Sequence, residues 1–226
     1  MLKISGFFLA LLSAAYPLMC FSQIQWFKPE ILKPDEVKTA KVVLSGTVST
    51  ENTVNLMTAL DELNNIYPSL KEIELYINSY GGEMEAGYIG YQAVRASRVP
   101  VKTINAGMTA SAATLIYCAG NVRLMMPEAS FVLHPAKSPN IQKSFVSPGD
   151  IEMMKKDVQQ GNNYFKSVYA TCTNIGDESL QKILFSDDNA WFVDALQAKQ
   201  LALVRGVRAG IKPTAVSYYI SDSEKP

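Results

Sequence analysis

A chain of 226 residues, 48% of them apolar, is long enough to form one α/β domain with a substantial core. Lysine plus arginine and aspartate plus glutamate both number 21, so no excess charge favours nucleic acid or an acidic surface. The composition therefore argues against a basic nucleic-acid-binding module.

The first 22 residues have the layout of a secretory signal peptide. Lys3 supplies a positive start, an apolar run covers 7–18, and small residues precede a cut before Gln23. A retained membrane anchor is the alternative, but the run is short for a span of about 20 residues. Lipid attachment at Cys20 is disfavoured by Pro17, which stands where such signals usually carry leucine. Cleavage predicts a periplasmic or secreted protein with 20 basic and 21 acidic residues.

The predicted elements alternate between strand and helix along most of the chain. Apolar, β-branched runs bounded by turn residues predict strands at 41–48, 73–77, 99–104, 121–126 and 130–133. Apolar residues at helical spacing predict helices at 54–67, 84–96, 111–119, 151–172, 180–185 and 195–201. The first of these patterns includes Val54, Met57 and Leu60, and the 151–172 pattern skips one turn at Gly161-Asn162. The alternation predicts an α/β fold with a largely parallel sheet.

The same patterns divide the chain into four segments. These are the signal peptide at 1–22, an irregular lead-in at 23–40, a main domain at 41–205 and a C-terminal extension at 206–226. Within the domain, 136–149 is polar and contains two prolines, so it reads as an exposed loop or an edge strand. Cys118 and Cys172 either form a disulfide, which export permits, or remain two buried thiols.

Ser111 and His134 carry the chemistry that the sequence predicts. Ser111 opens the short apolar helix among very small residues, and His134 is the only histidine in the chain and follows a strand. A serine hydroxyl becomes a nucleophile when a base takes its proton, and histidine has a suitable pKa. The amides of Gly82 and Ala112 are natural donors to an oxyanion. Each feature is common alone, but their order and strand-end setting together predict a serine-hydrolase site.

Four motifs resemble those of the proteolytic subunit of the Clp protease, and through it the wider ClpP/crotonase superfamily. They are Leu75-Tyr-Ile-Asn-Ser-Tyr-Gly-Gly82 with Ala86-Gly87, Gly107-Met-Thr-Ala-Ser111-Ala-Ala, Met126 to Pro135, and Gly149-Asp150-Ile151. The resemblance covers the domain at 41–205 and implies peptide-bond hydrolysis by Ser111 and His134, with oxyanion amides from Gly82 and Ala112 and no metal or cofactor. It also implies a spiral of ββα units with a long handle helix, and a homo-oligomer that is often a heptameric ring.

The acidic triad position departs from the family. There an aspartate stands two residues before an aromatic residue, whereas here the stretch is Asn189-Ala-Trp191, with Asp188 just before it. Asparagine can orient a histidine but adds no charge, and Asp→Asn alone costs about 10⁴ in kcat in a Ser-His-Asp enzyme. Three alternatives stay open: Asn189 orients His134, Asp188 does so, or neither contacts it.

Two further departures concern mechanism and setting. Lys137, in the polar 136–149 segment, raises a Ser-Lys dyad as a rival mechanism, and the prolines there make ring pairing through an edge strand less expected. Export would place the protein where ATP is scarce, so we expect ATP-independent cleavage of peptides or unfolded segments, without an ATPase partner. The rival functions are a catalytically impaired peptide-binding or scaffold protein and a crotonase-type acyl-CoA enzyme, which export disfavours.

Overall fold

The structure is a computed structural model that describes residues 23–139, 142 and 144–222. The predicted signal peptide, including Cys20, lies outside the described residues. Within the described ranges no helix combines the length and the apolar character needed to cross a membrane.

Nine strands in the described residues form one sheet. In chain order they are β1 (Gln23–Phe27), β2 (Thr39–Ser45), β3 (Glu72–Ser79), β4 (Val101–Ala110), β5 (Val122–Met125), β6 (Ser130–Leu133), β7 (Trp191–Val193), β8 (Gly206–Val207) and β9 (Val216–Ser221). Their spatial order is β1-β9-β2-β3-β4-β5-β8, while β6 pairs in parallel with the far end of β4 and antiparallel with β7. The sheet from β9 to β8 is parallel throughout, so the carboxyl ends of β2, β3 and β4 lie at one edge.

The described part of the chain contains six α-helices. They are α1 (Thr50–Ile66), α2 (Met84–Ala96), α3 (Ala112–Cys118), α4 (Pro148–Cys172), α5 (Asp177–Ile183) and α6 (Ala195–Gln200). Of these, α1, α3 and α6 contact the sheet directly. Short 3-10 helices cover Pro34–Glu36 and Asp187–Asn189. Ser147 is the N-cap of α4 and Asp194 is the N-cap of α6, and each forms a reciprocal capping box that satisfies free backbone amides.

Helix α3 lies at the centre of the molecule. All seven of its residues are buried, as its almost wholly apolar sequence predicts. A disulfide between Cys118 and Cys172, whose Cα atoms are 5.6 Å apart, joins its end to the end of α4. The structure therefore selects the bridge over two buried thiols, and the helix that follows Ser111 is covalently fixed to the longest helix.

Two segments differ from the sequence expectation. The lead-in at 23–40 contains β1, and the C-terminal segment at 206–226 supplies β8 and β9. Strand β9 lies between β1 and β2, with Val216, Tyr218 and Ile220 buried. Strands β1 and β9 pair with strands from distant parts of the chain, which a local apolar pattern does not reveal. Of 136–147, the described residues form no strand, so a loop connects β6 to α4 there.

Candidate active site

Ser111 occupies the turn between β4 and α3. Its φ of 53° and ψ of −133° lie in a region that a non-glycine residue enters only at a cost of about 1–3 kcal/mol. The N–H of Ser111 donates to the Val132 carbonyl at 3.2 Å, and its carbonyl accepts from the Thr114 N–H at 2.9 Å. The hydroxyl makes no capping hydrogen bond to the helix. The serine is thus held in a sharp strand-to-helix turn with its side chain half-buried, and its hydroxyl has no hydrogen-bond partner among the described residues.

The glycine loop after β3 lies directly against this serine. Gly81 and Gly82 have φ values of 97° and 153°, which favour glycine. A β-carbon added to Gly81 would lie 2.5 Å from the Ser111 Cβ and 3.0 Å from the Ala112 nitrogen. Only a residue without a side chain therefore lets the loop approach the serine this closely.

The two amides that the sequence predicts as oxyanion donors remain available to a ligand. Gly82 forms an isolated parallel β-bridge with Val48. The two hydrogen bonds of this bridge, each 2.8 Å long, run from the Val48 N–H to the Gly81 carbonyl and from the Glu83 N–H to the Val48 carbonyl. Neither involves the Gly82 N–H. Ala112 is the first residue of α3, where backbone N–H groups have no helical partner. Among the hydrogen bonds of the described residues, none is donated by either amide.

His134 follows β6, the strand that runs beside the end of β4. Its Nδ1 lies 2.7 Å from the Pro135 carbonyl oxygen, and because a carbonyl can only accept, Nδ1 carries the proton in this hydrogen bond. In the neutral imidazole this leaves Nε2 as an acceptor. The ring meets that of Phe165 on α4 edge-on, with centroids 6.5 Å apart. No hydrogen bond in the described part of the chain joins His134 to the Ser111 hydroxyl.

The structure does not place Asn189 or Asp188 in a hydrogen bond with His134. Leu133 pairs with Trp191, so the register leads from His134 towards Ala190, one residue after Asn189. Asn189 ends an exposed 3-10 helix, while the Asp188 carboxylate and backbone N–H both bond to the Ser186 hydroxyl, at 3.4 and 3.2 Å. The Pro135 carbonyl occupies the place at Nδ1 that the sequence assigns to a side chain.

Lys137 forms an ion pair instead of facing the serine. Its Nζ lies 2.9 Å from a carboxylate oxygen of Asp187, and 62% of the lysine side chain is exposed. A lysine that serves as a catalytic base is buried, whereas Lys137 is mostly exposed and paired with Asp187. These surroundings do not suit the Ser-Lys dyad. Lys137 also lines a cavity of about 540 Å³, beside Gly82, that Glu83, Glu85 and Asp157 help to form.

Asn162 is a site-supporting residue that sequence reasoning missed. Its Oδ1 accepts from the Ala136 N–H at 2.8 Å, two residues after His134, and its Nδ2 donates to the Leu184 carbonyl at 2.9 Å. The side-chain amide of Asn162 thus links α4 both to the loop that follows His134 and to Leu184, shortly before Asp187–Asn189. The Gly161-Asn162 interruption of the apolar pattern was the signal, since a β-carbon on Gly161 would lie 2.5 Å from the Ala136 Cβ.

Comparison with known proteins gives concordant matches. The model of the Clp protease family matches residues 35–210. The chain is 30% identical over 142 residues to the ATP-dependent Clp protease proteolytic subunit 4 of Arabidopsis thaliana chloroplasts, a match that covers 62% of this chain and 46% of that protein. It is 26% identical over 170 residues to the ATP-dependent Clp protease proteolytic subunit 2 of Treponema pallidum, covering 74% of this chain and 81% of that protein.

The fold matches a solved structure as well. An asparagine-to-aspartate variant of ClpP1 from Listeria monocytogenes superposes with a TM-score of 0.61 at 20% identity, covering 75% of this chain and 91% of the other. At this identity the likeness concerns the fold, which is the α/β architecture with a long handle helix that the sequence predicts. No group of three or more metal-ligating side chains occurs in the described residues.

Proposed function

This chain belongs to the Clp protease family, and on that premise we propose that it is a serine endopeptidase with Ser111 as nucleophile. The observation that carries the proposal is the backbone of Ser111. A strained turn at the end of a parallel strand presents a hydroxyl that caps nothing, and a double-glycine loop packs against it. Strain of this kind persists at functional sites because the surrounding structure fixes it.

His134 acts as the general base in this proposal. With Nδ1–H bonded to Pro135, Nε2 is the nitrogen that takes the proton from the Ser111 hydroxyl as oxygen bonds to the peptide carbonyl carbon. The carbonyl electron pair moves onto its oxygen, which the Gly82 and Ala112 amides bind. His134 then gives the proton to the leaving amine, and water releases the acyl group by the same steps. The Ser111–His134 hydrogen bond forms on substrate binding, as is common in hydrolases.

Peptides and unfolded segments are the proposed substrates, and the setting is outside the cytosol. Gly82, whose amide is one of the two proposed oxyanion donors, lines the cavity described above, which supports binding of a substrate chain beside it. The Cys118–Cys172 disulfide supports an oxidising compartment, where ATP is scarce. Although the named relatives are ATP-dependent, we therefore propose ATP-independent cleavage by a homo-oligomer, for which the family resemblance allows a heptameric ring.

A fluorophosphonate, which reacts with activated serines, tests this proposal. The purified protein is separated by gel filtration, each fraction is labelled, and the modified residue is located by mass spectrometry. We expect labelling at Ser111 that disappears in Ser111→Ala and His134→Ala and persists in Ser167→Ala, which changes an exposed serine of α4. Absence of both labelling and peptide cleavage in every fraction of the native protein contradicts the proposal.

A catalytically impaired peptide-binding or scaffold protein is the second candidate. One observation favours it: in the described residues no carboxylate is bonded to His134, and the acid position holds Asn189. This candidate predicts an unlabelled oligomer that still binds a fluorescent unfolded peptide, measured by anisotropy. The labelling result and the binding result together separate the two functions.

A further inference from the structure

The peptide unit between Ser111 and Ala112 has two roles. Its nitrogen end carries the Ala112 N–H, the proposed oxyanion donor, and its carbon end carries the Ser111 carbonyl. Because a peptide unit is planar, whatever fixes the carbonyl also sets the direction of the N–H. The Ser111 carbonyl accepts two hydrogen bonds, from the Thr114 N–H at 2.9 Å and from the Thr114 hydroxyl at 2.6 Å.

Thr114 is in turn bonded to α4. Its Oγ1 lies 2.6 Å from the hydroxyl of Tyr169. A threonine hydroxyl has one proton, which Thr114 directs to the Ser111 carbonyl, so Tyr169 must be the donor to Thr114. Two hydroxyl groups therefore form a one-way chain from Tyr169 through Thr114 to the carbonyl. In such a chain each hydrogen bond polarises and strengthens the next.

Tyr169 is well placed to keep this chain intact. Both Tyr169 and Thr114 are fully buried, so water does not compete for their hydrogen bonds. Burial raises the pKa of the Tyr169 phenol, which therefore stays a protonated donor. Its ring stacks on Phe165 at 5.3 Å, and Phe165 also meets the His134 ring. The face of α4 that reaches the serine turn thus also supports the histidine.

We propose that Tyr169 is a positioning residue for the oxyanion site and acts through Thr114 on the peptide unit between Ser111 and Ala112. This inference rests on the proposed peptidase function and explains how its oxyanion donor is aimed. Tyr169 does not touch the substrate. It restrains rotation of the peptide unit, so the Ala112 N–H points to where negative charge develops in the transition state.

The test compares Tyr169→Phe with Tyr117→Phe in the purified native oligomer. Tyr117 is an equally buried tyrosine on α3, but its hydroxyl donates to the Leu124 carbonyl at 2.9 Å, away from the serine turn. Tyr169→Phe should lower kcat about tenfold, less than the roughly 10²–10³ that follows outright loss of a donor. KM should stay within about twofold, because the restrained contact acts in the transition state. Tyr117→Phe should leave kcat within about twofold of native.

A peptide boronate and a second pair of variants complete the test. The boronate forms a tetrahedral adduct on serine, so Tyr169→Phe should weaken its binding by the same factor as kcat. Thr114→Val should also lower kcat, adding Tyr169→Phe to it should cost nothing more, and Thr114→Ser should restore the native value. Equal losses in both tyrosine variants, or additive losses in the double variant, overturn the positioning role alone. If the native protein neither labels nor cleaves, the proposed function fails and this role fails with it.

Discussion

At the scale of single residues, Gly81 leaves no room for a side chain between its own backbone and Ser111. A β-carbon on Gly81 would press on the Ser111 Cβ at 2.5 Å, at a backbone φ of 97° that disfavours any side chain. We expect Gly81→Ala to reduce fluorophosphonate labelling and peptide cleavage by about 100-fold, as the loss of an oxyanion donor does. Gly149→Ala is the matched control, because its nearest neighbour is the Ser147 hydroxyl at 3.7 Å. Native activity in Gly81→Ala would contradict the close packing of Gly81 on Ser111.

Asn189 and Asp188 test what holds His134 during turnover. Since Nδ1 is already bonded to the Pro135 carbonyl, we expect Asn189→Ala and Asp188→Ala each to keep kcat within about threefold, against the 10⁴ loss of a true triad aspartate. Peptide cleavage rates at saturating substrate are the measurement. A large loss in Asn189→Ala alone would show that the asparagine reaches His134 in the complex. A large loss in Asp188→Ala alone would shift the acid position by one residue.

The residue types of the candidate site were readable from the sequence, but its backbone was not. Ser111 and Gly82 lie after neighbouring strands, as the predicted elements require. The turn at Ser111 is held by two hydrogen bonds: its N–H donates to the Val132 carbonyl, and its own carbonyl accepts from the Thr114 N–H. The first of these requires β6 to lie beside β4, which no local pattern shows. The Pro135 carbonyl gave no signal at all, because every residue carries one and only the turn after β6 aims it at Nδ1.

At the scale of elements, α3 and α4 form one unit around the serine turn. The disulfide that joins them closes a loop with a sequence separation of 54, which stabilises the fold by about 4 kcal/mol in the chain-entropy model. The double variant Cys118→Ala/Cys172→Ala should lose about this much free energy of unfolding, measured by urea titration. Dithiothreitol should destabilise the native protein and leave the double variant unchanged. Equal unfolding midpoints for the native protein and the variant would contradict the prediction.

Helix α1 shows where periodicity alone was misleading. Its predicted range, 54–67, lies within the observed Thr50–Ile66 apart from the last residue, because Ser49 caps the helix one turn before the first apolar residue. The predicted face was partly wrong: Leu60, Leu63 and Tyr67 are buried as expected, but Val54 and Met57 are 54% and 37% exposed. Leu56 and Ala59 are buried in their place. Two apolar stripes share this helix, and only the position of α2 and the sheet decides between them. The exposed stripe is of the kind that a subunit contact would cover.

At the scale of the whole molecule, the C-terminal segment completes the sheet. Strand β9 pairs in parallel with β2 and antiparallel with β1, although it follows β2 by more than half the chain. The sequence predicted the parallel centre of the sheet because each strand there is followed directly by a helix, and this alternation can be recognised in a short stretch of sequence. It did not predict β9, since no short-range pattern indicates which distant strand will accept a terminal one.

Glu74 links the C-terminal segment to β3, in the middle of the sheet. Its carboxylate, 1% exposed on β3, accepts from the two terminal nitrogens of Arg208 at 2.7 and 3.0 Å and from the Tyr76 hydroxyl at 2.7 Å. Burial raises the pKa of Glu74, but the hydrogen bonds from Arg208 and Tyr76 and the charges of Arg208 and Lys212 outweigh it and leave the pKa below its usual value. A carboxylate with a lowered folded pKa stabilises the fold above its unfolded pKa, and that stability is lost as the pH falls through the folded pKa.

Glu74→Gln should therefore destabilise the protein in a pH-dependent way. At pH 7 the variant leaves the largely buried Arg208 without its partner, and we expect the free energy of unfolding to fall by about 3 kcal/mol. As the pH falls below the unfolded glutamate pKa of about 4.3, the unfolded chain binds a proton that folded Glu74, with its lowered pKa, does not. The native protein therefore loses stability that Glu74→Gln never had, and the difference between the two proteins should shrink. Urea titrations at pH 7 and pH 3 measure both values. Glu178→Gln, in an exposed i,i+4 pair with Lys182, is the control and should cost less than about 0.5 kcal/mol. An equal loss at both pH values would contradict a contribution from the charge of Glu74, because the shifted pKa of this carboxyl is what makes the difference depend on pH.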